Sequence, residues 1–299
     1  MRQSNKLVAG SWIDRSQYLV MFLPMLLLYL VFTVYPVIQG IYYSFTDWDG
    51  INSSYNWIWF DNYKTFFTDF VVLVPLRNTF VYAFFVTILQ NVCALALAIA
   101  LNQKMRTKNL LRTLIFVPVV LSALIVGYLW SYLFTNPIAQ LGDQLGIEII
   151  AHNLLGNDST SLAAGIFVSV WKSVGYTMVI YLAGLQGVDN EIYEAALVDG
   201  AKGFKRFRYI TFPLIAPSFT INIVLVMEGA FKQFDLIYAL TLGGPGNSSE
   251  LLSLTIYRES FEYYRAGYGT TMGVVLFVII VVLSLIELVG LRRREDNIV

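Results

Sequence analysis

Long apolar stretches separated by short polar connectors make up most of this chain. A helix that crosses a bilayer needs about 20 predominantly apolar residues, and six stretches reach this length. The predicted spans are 17–45, 78–101, 111–135, 161–186, 209–238 and 266–289. In lipid, every backbone polar group needs a partner within its own segment, and the runs do not alternate in polarity as barrel strands do. We therefore predict an all-α, polytopic membrane protein that forms a single transmembrane domain over 1–299.

The composition agrees with a membrane protein and argues against several other classes. Hydrophobic residues make up 57% of the 299 positions and charged residues 13%, whereas a soluble domain carries about 25% charged residues. The first apolar run is too long for a signal peptide. The one cysteine, Cys93, is expected to be buried, and the one histidine, His152, is expected in a polar loop, so we predict neither a disulfide nor a metal site. The net charge of zero does not indicate nucleic-acid binding.

Basic residues predict the orientation of the spans. With the N-terminus inside, 14 of the 20 Lys and Arg fall in the cytoplasmic segments, four in the outer loops and two within spans. This asymmetry favours cytoplasmic N- and C-termini. It also places the connector 187–208 in the cytoplasm.

Polar and aromatic side chains inside the spans are candidates for a solute path, because polar groups in lipid are costly and usually functional. Glu228 and Lys232 are also spaced to neutralise each other, and the amides could instead link helices. Sugar sites combine such polar groups with aromatic rings. The candidates are Gln90, Asn91, Trp171, Lys172, Tyr176, Asn222, Glu228 and Phe231.

Two outer loops leave alternatives open. The aromatic residues of 46–76 are typical of the membrane interface, although this loop could also meet an extracytoplasmic partner. Gly243, Gly244 and Pro245 are typical of an ordinary turn, or of a loop at an outer gate or at a binding-protein contact.

The most informative segment is the polar, basic connector around Glu194. It contains the pattern Glu-Ala-Ala at 194–196, then Gly200, Ile210 and, after Phe212, Pro213. This spacing resembles the coupling loop of bacterial ATP-binding-cassette (ABC) import permeases, which is a short helix that seats in a cleft of a partner ATPase. By this resemblance, the ATPase-docking candidates are Glu194, Ala195, Ala196, Asp199, Gly200, Ala201 and Phe204.

The resemblance extends along about residues 15–290. Segments 184–186, 234–235, 240–245 and 267–269 look like the conserved stretches of carbohydrate-uptake permeases, the MalF-like or UgpA-like kind with a MetI-like core. It implies a bacterial inner-membrane subunit that pairs with a second, MalG-like permease, two ATPase subunits and an extracytoplasmic solute-binding protein. The solute implied is a sugar, meaning an oligosaccharide or a related polyol or glycerol phosphate.

The chain itself is predicted to be non-catalytic. It has no G-x-x-x-x-G-K-[ST] motif for ATP and no serine-hydrolase or zinc-protease motif. The resemblance implies that ATP and Mg²⁺ bind to the partner ATPase, so we expect no cofactor in this chain. Two alternatives remain: an ABC permease for a non-sugar solute, and a secondary transporter that works alone. Copurification of an ATPase would separate the second alternative from the main prediction.

Overall fold

The computed structural model describes residues 12–103, 105–151 and 153–296, so His152 lies outside the described residues. The all-α prediction is confirmed, and the β pairing within the described residues is one isolated bridge between Thr46 and Trp57. The α-helices of the described chain are α1 (Trp12–Tyr29), α2 (Tyr35–Tyr43), α3 (Asp61–Thr68), α4 (Phe70–Leu101), α5 (Lys108–Val120), α6 (Ala123–Thr135), α7 (Pro137–Leu145), α8 (Glu148–Ala151), α9 (Ser161–Gln186), α10 (Asn190–Val198), α11 (Gly203–Arg206), α12 (Phe212–Leu214), α13 (Ala216–Phe231), α14 (Asp235–Thr241), α15 (Leu252–Tyr257) and α16 (Ala266–Asp296).

Four helical stretches of the described chain are long and apolar enough to cross a membrane. They are Val20–Tyr43, Phe70–Leu101, Ser161–Gln186 and Ala266–Leu291. The first is continuous from α1 to α2 through a π-helical turn, Leu30–Val34. These stretches overlap the predicted spans one, two, four and six, and the second starts eight residues before the predicted position 78.

The predicted spans three and five are each broken into two helices. Lys108–Val120 meets Ala123–Leu145 at 98°, and Gly203–Leu214 meets Ala216–Phe231 at 72°. The first break lies at Leu121, whose backbone is extended (φ −71°, ψ 142°). At the second break, Pro217 in the first turn of α13 has no N–H to continue the preceding helix. The total is six spans if each bent pair crosses once.

The core is built on α4, which packs along α9 and α13. Tyr82, Phe231 and Met272 belong to one buried cluster, and Met178 and Ile215 belong to a second. Where α5 crosses α9, a Cβ on Gly175 would lie 2.4 Å from the carbonyl oxygen of Ile115. Only glycine therefore permits this close approach, which fixes α9 against the third span.

The first span and one face of α4 lie outside the buried core. The window of the first span is 0% buried, so this helix lies outside the core. The expectation that Cys93 is buried is wrong, because its side chain is exposed on α4. It lines an apolar groove with Phe85, Phe167 and Val174, so its apolar neighbours in the sequence belong to an apolar outer face of α4 and not to the core.

Each end of the bundle gathers its own set of connectors. At one end, the C-termini of α4 and α9 lie beside α10 and α11, together with the basic residues Lys202, Lys205 and Arg206. At the other end, the loop after α14 lies against the start of α4, where Asn78 donates to its carbonyl oxygens. This arrangement separates a basic end, where α10 lies, from an opposite end.

Candidate coupling helix and polar cavity

The connector between the fourth and fifth spans folds into the short helix α10. Asp189 has an extended backbone (φ −62°, ψ 134°) and turns the chain out of α9. Glu191 lies in the first turn, where a negative charge is favourable next to the helix dipole. Ala196 is buried and Tyr193 half-buried on one side, whereas Glu194 on the other side is exposed. The helix therefore presents one face to the bundle and one away from it.

The end of α10 explains why the spacing of the Glu-Ala-Ala pattern matters. The Gly200 amide donates to the Leu197 carbonyl at 3.1 Å, and the Ala201 amide donates to the Ala196 carbonyl at 2.8 Å. These two bonds, with Gly200 in the left-handed region (φ 78°), form a Schellman motif. Ala196 and Ala201, which the second of these hydrogen bonds joins, are both buried. The turn therefore places one small buried side chain before Gly200 and one after it.

The predicted docking residues divide into two groups. Glu194, Ala195, Asp199, Gly200 and Phe204 are exposed and available to a partner. Ala196 and Ala201 are buried and support the Schellman turn. Their contact with a partner stays a prediction.

An apolar part of this surface was missed by the sequence reasoning. Val198 is 89% exposed and Phe204 is 77% exposed. An exposed apolar pair on a polar connector is a sign of a contact surface. The signal in the sequence was the position of Val198 four residues after Glu194, on the same helix face.

A small polar cavity lies between α4, α9 and α13. Its volume is about 190 Å³. Its polar lining comes from Gln90 of α4, from Ser169, Ser173 and Tyr176 of α9, and from Gln233 just after α13. Gln90 also donates to the Thr177 hydroxyl at 2.7 Å, which orients its amide. Of the predicted path residues, the structure brings Gln90 and Tyr176 together at this cavity.

Four predicted path residues do not line the cavity, and each has another contact. Asn91 is buried and accepts from the Tyr181 hydroxyl at 2.6 Å. Asn222 is buried and donates to the Thr177 carbonyl at 3.3 Å. Phe231 is buried edge-to-face against Phe80, and Trp171 packs against Trp130 on another face of α9. These side chains pack within the bundle in this structure, and their contact with solute stays a prediction.

The two charged path candidates also lie outside the cavity lining. Lys172 is half-buried on α9, one helical turn before Tyr176. Glu228 of α13 forms an ion pair with Lys232, the first residue after that helix, which is the neutralising arrangement that the spacing allowed. Lys172 has no ion-pair partner among the described residues.

The loop that contains Gly243, Gly244 and Pro245 is anchored rather than free. The Asn78 side-chain amide donates to the carbonyl oxygens of Asn247, Ser248 and Glu250 at 3.0–3.1 Å. The buried Glu250 carboxylate accepts from Arg258 at 2.6 Å. These contacts tie the loop to the start of α4, at the end of the bundle opposite α10.

A second buried carboxylate lies near this loop. The Glu259 side chain is 4% exposed, and its Oε2 atom lies 3.1 Å from Nη1 of Arg265. Burial raises the pKa of the Glu259 carboxyl, the Arg265 charge lowers it, and the nearby Asp69 and Glu250 raise it further. The net direction is upward, because desolvation is the largest effect.

Membrane-length helices around a polar cavity, with a short helix exposed at one end, define this chain as a helical membrane permease. Residues 90–294 match the family described as "Binding-protein-dependent transport system inner membrane component". The chain belongs to this family. As a member, it is a multi-pass membrane protein of a transport system.

Relatives and one solved structure cover nearly the whole chain. It is 33% identical to the "Probable starch degradation products transport system permease protein AmyD" of Thermoanaerobacterium thermosulfurigenes, over 93% of this chain and 94% of the relative. It is 33% identical to the "Multiple sugar-binding transport system permease protein MsmF" of Streptococcus mutans, over 90% and 93%. A bacterial ABC transporter involved in the import of the acidic polysaccharide alginate has a similar fold, with a TM-score of 0.82 at 22% identity over 94% and 97%.

The described residues contain no group of three or more His, Cys, Asp or Glu side chains that could hold a metal ion.

Proposed function

We propose that this chain is a permease subunit of a bacterial ABC importer that carries a saccharide across the cell membrane. The observation that carries the proposal is α10, a short helix between two spans with Glu194, Val198 and Asp199 exposed. The sequence contains no P-loop, so the energy for uphill transport must come from a partner. An exposed helix at the basic end of the bundle is well placed to receive that partner.

The complete importer would contain several further chains. Two ATPase subunits bind ATP and Mg²⁺ and contact α10, so this chain is non-catalytic and needs no cofactor of its own. A second, MalG-like permease completes the path through the bilayer. An extracytoplasmic binding protein delivers the solute at the opposite end, with both termini of this chain in the cytoplasm.

The solute class is supported by the relatives and by the chemistry of the cavity. One relative is named for starch degradation products and another for multiple sugars. The cavity offers amide and hydroxyl groups from Gln90, Ser173 and Gln233, with the Tyr176 ring beside them. Neutral hydrogen-bonding groups beside an aromatic ring suit a sugar or a related uncharged polyol.

The test of this function is reconstitution. When the chain is purified together with its partner proteins, an ATPase should copurify. Liposomes that contain the complex should take up sugar only when ATP and the binding protein are present. Binding of a saccharide panel to the binding protein identifies the solute. Uptake by the chain alone would instead support a secondary transporter, and a panel without saccharide binding would support a permease for a non-sugar solute.

The path through the cavity has its own test. Tyr176→Ala removes an aromatic wall of the cavity, whereas Tyr128→Ala removes an exposed tyrosine of α6 that does not line it. Sugar uptake should fall in the first variant and not in the second, while both retain the ATPase. Equal uptake by the two variants would show that the solute passes elsewhere.

A further inference from the structure

A second and larger cleft opens on the bundle side of α10. Its volume is about 600 Å³. Its walls come from the last turn of α4 with Asn102, from Leu185 at the end of α9, from Tyr193 of α10, and from Arg206 and Phe207 at the start of the fifth span. The cleft lies where these segments leave the apolar bundle, apart from the solute path and from the exposed Glu194 and Val198 of α10. It shares one wall residue, Phe204, with the exposed apolar pair described above.

The lining of this cleft is rich in hydrogen-bond donors and contains no carboxylate. Its polar side chains are Arg206, Tyr193, Thr211, Asn102, Gln103 and Asn190. Within the described residues, Arg206 has no ion-pair partner, and the three amides make no side-chain hydrogen bonds. The guanidinium lies 5.5 Å from the centre of the Tyr193 ring, and this contact orients it. An arginine with free donors and no acidic neighbour in the lining is suited to bind a phosphate.

The position of the cleft distinguishes a membrane phosphate from a soluble one. Ile99 and Leu185 in the lining precede the last residues of α4 and α9, so the inner wall is apolar. The rim is polar, and the exposed Lys202 and Lys205 lie next to it in the sequence. An apolar wall below a cationic rim, at the end of the spans, complements an anionic phospholipid, with acyl carbons inside and headgroup phosphate at the rim.

We propose that this cleft binds the headgroup phosphate of an anionic phospholipid of the inner leaflet, through Arg206 and the amides of Asn102, Gln103 and Asn190. The assignment to the inner leaflet rests on the proposed orientation, whereas the binding chemistry does not. An ATPase side chain is the other conceivable occupant. It is disfavoured because the cleft lies on the bundle side of α10, and the exposed Glu194 and Val198 lie on the other.

The experiment measures lipid binding to the purified chain together with the proteins that copurify with it. Native mass spectrometry counts bound lipid after titration with phosphatidylglycerol, with phosphatidylcholine or with free glycerol phosphate. The test variants are Arg206→Gln, which removes the cation, and Asn102→Asp, which places a carboxylate in the cleft. The control is Arg208→Gln, which has the same charge change at an exposed position outside the lining.

Phosphatidylglycerol should bind in preference to phosphatidylcholine, and each test variant should bind it about tenfold more weakly, as expected for loss of a charged hydrogen bond. Arg208→Gln should bind like the unmodified chain. Equal weakening in Arg208→Gln would reveal general charge attraction and overturn the site. Unchanged binding in both test variants would also overturn it.

Two further outcomes address the identity of the occupant. Competition by free glycerol phosphate at equal concentration would assign the cleft to a soluble phosphate. Binding of phosphatidylglycerol only after the ATPase has been stripped from the complex would assign the cleft to the ATPase. A chain that binds phosphatidylglycerol as expected but never copurifies with an ATPase would refute the proposed function while this site stands.

Discussion

Gly200 offers the sharpest test of how the connector helix works. Its φ of 78° is a conformation that side chains disfavour, and a Cβ placed there would meet nothing within 4 Å in this chain. The cost of a substitution is therefore conformational. It is about 1–2 kcal/mol for an ordinary residue in the left-handed region, less for Asn and more for a β-branched residue.

Gly200→Val should therefore open the Schellman turn, because the two hydrogen bonds of Gly200 and Ala201 depend on this backbone conformation. A loss of about 2 kcal/mol reduces the population of the closed turn roughly 30-fold relative to an open one. Gly200→Asn should retain most of the function, since Asn tolerates the left-handed region.

The assay is sugar uptake and binding-protein-stimulated ATPase activity of the reconstituted complex. Gly200→Val should lose both while remaining inserted in the membrane, and Gly200→Asn should keep both. Gly146→Val is the matched control, since Gly146 ends α7 with φ 66° and also has open space around it. If the two Gly200 variants behave alike, or if Gly146→Val is equally defective, the shape of this turn does not control coupling.

Three other outcomes are expected. Asn78→Leu should lower the unfolding temperature, because three carbonyl oxygens lose their donor at a cost of about 1–3 kcal/mol; an unchanged melting curve would contradict the anchoring of the outer loop. The pKa of Glu259 is raised in the folded protein, so this carboxyl contributes fully to the free energy of unfolding below pH 4.5 and loses that contribution as pH rises through the folded pKa. Glu259→Gln should remove this loss of stability with rising pH. The prediction is refuted if the unfolding temperatures of the two proteins change with pH in the same way. In a Cys93→Ala background, a membrane-impermeant thiol reagent should label Asn52→Cys from outside intact cells and leave Gln103→Cys unlabelled; the reverse result would invert the proposed orientation.

The patterns with a fixed physical meaning were predictable from the sequence. The apolar runs required helices because lipid leaves no other partner for the backbone. The spacing of Glu194, Ala196 and Gly200 marked the connector, in which the structure has the helix Asn190–Val198. The i, i+4 spacing of Glu228 and Lys232 likewise predicted their ion pair.

The solute-path candidates show what the residue types along the sequence leave undecided. Polarity alone selected Asn91 and Asn222, but both make hydrogen bonds within the bundle. Gln233 was not selected, although it lines the cavity. The residue type at a position does not specify whether its side chain faces a cavity or a neighbouring helix, because this orientation depends on how distant segments pack.

The sequence by itself thus determined the helical membrane class, the number of apolar runs and the position of the connector helix, because these depend on local composition and spacing. Only the tertiary structure decided that Ala196 and Ala201 are buried while Val198 is exposed, that Cys93 lies on the surface, and that Arg206 comes to lie beside the end of α4. These are contacts between segments far apart in the chain. They are set by the crossing of helices and by the bends within them, which no local pattern encodes.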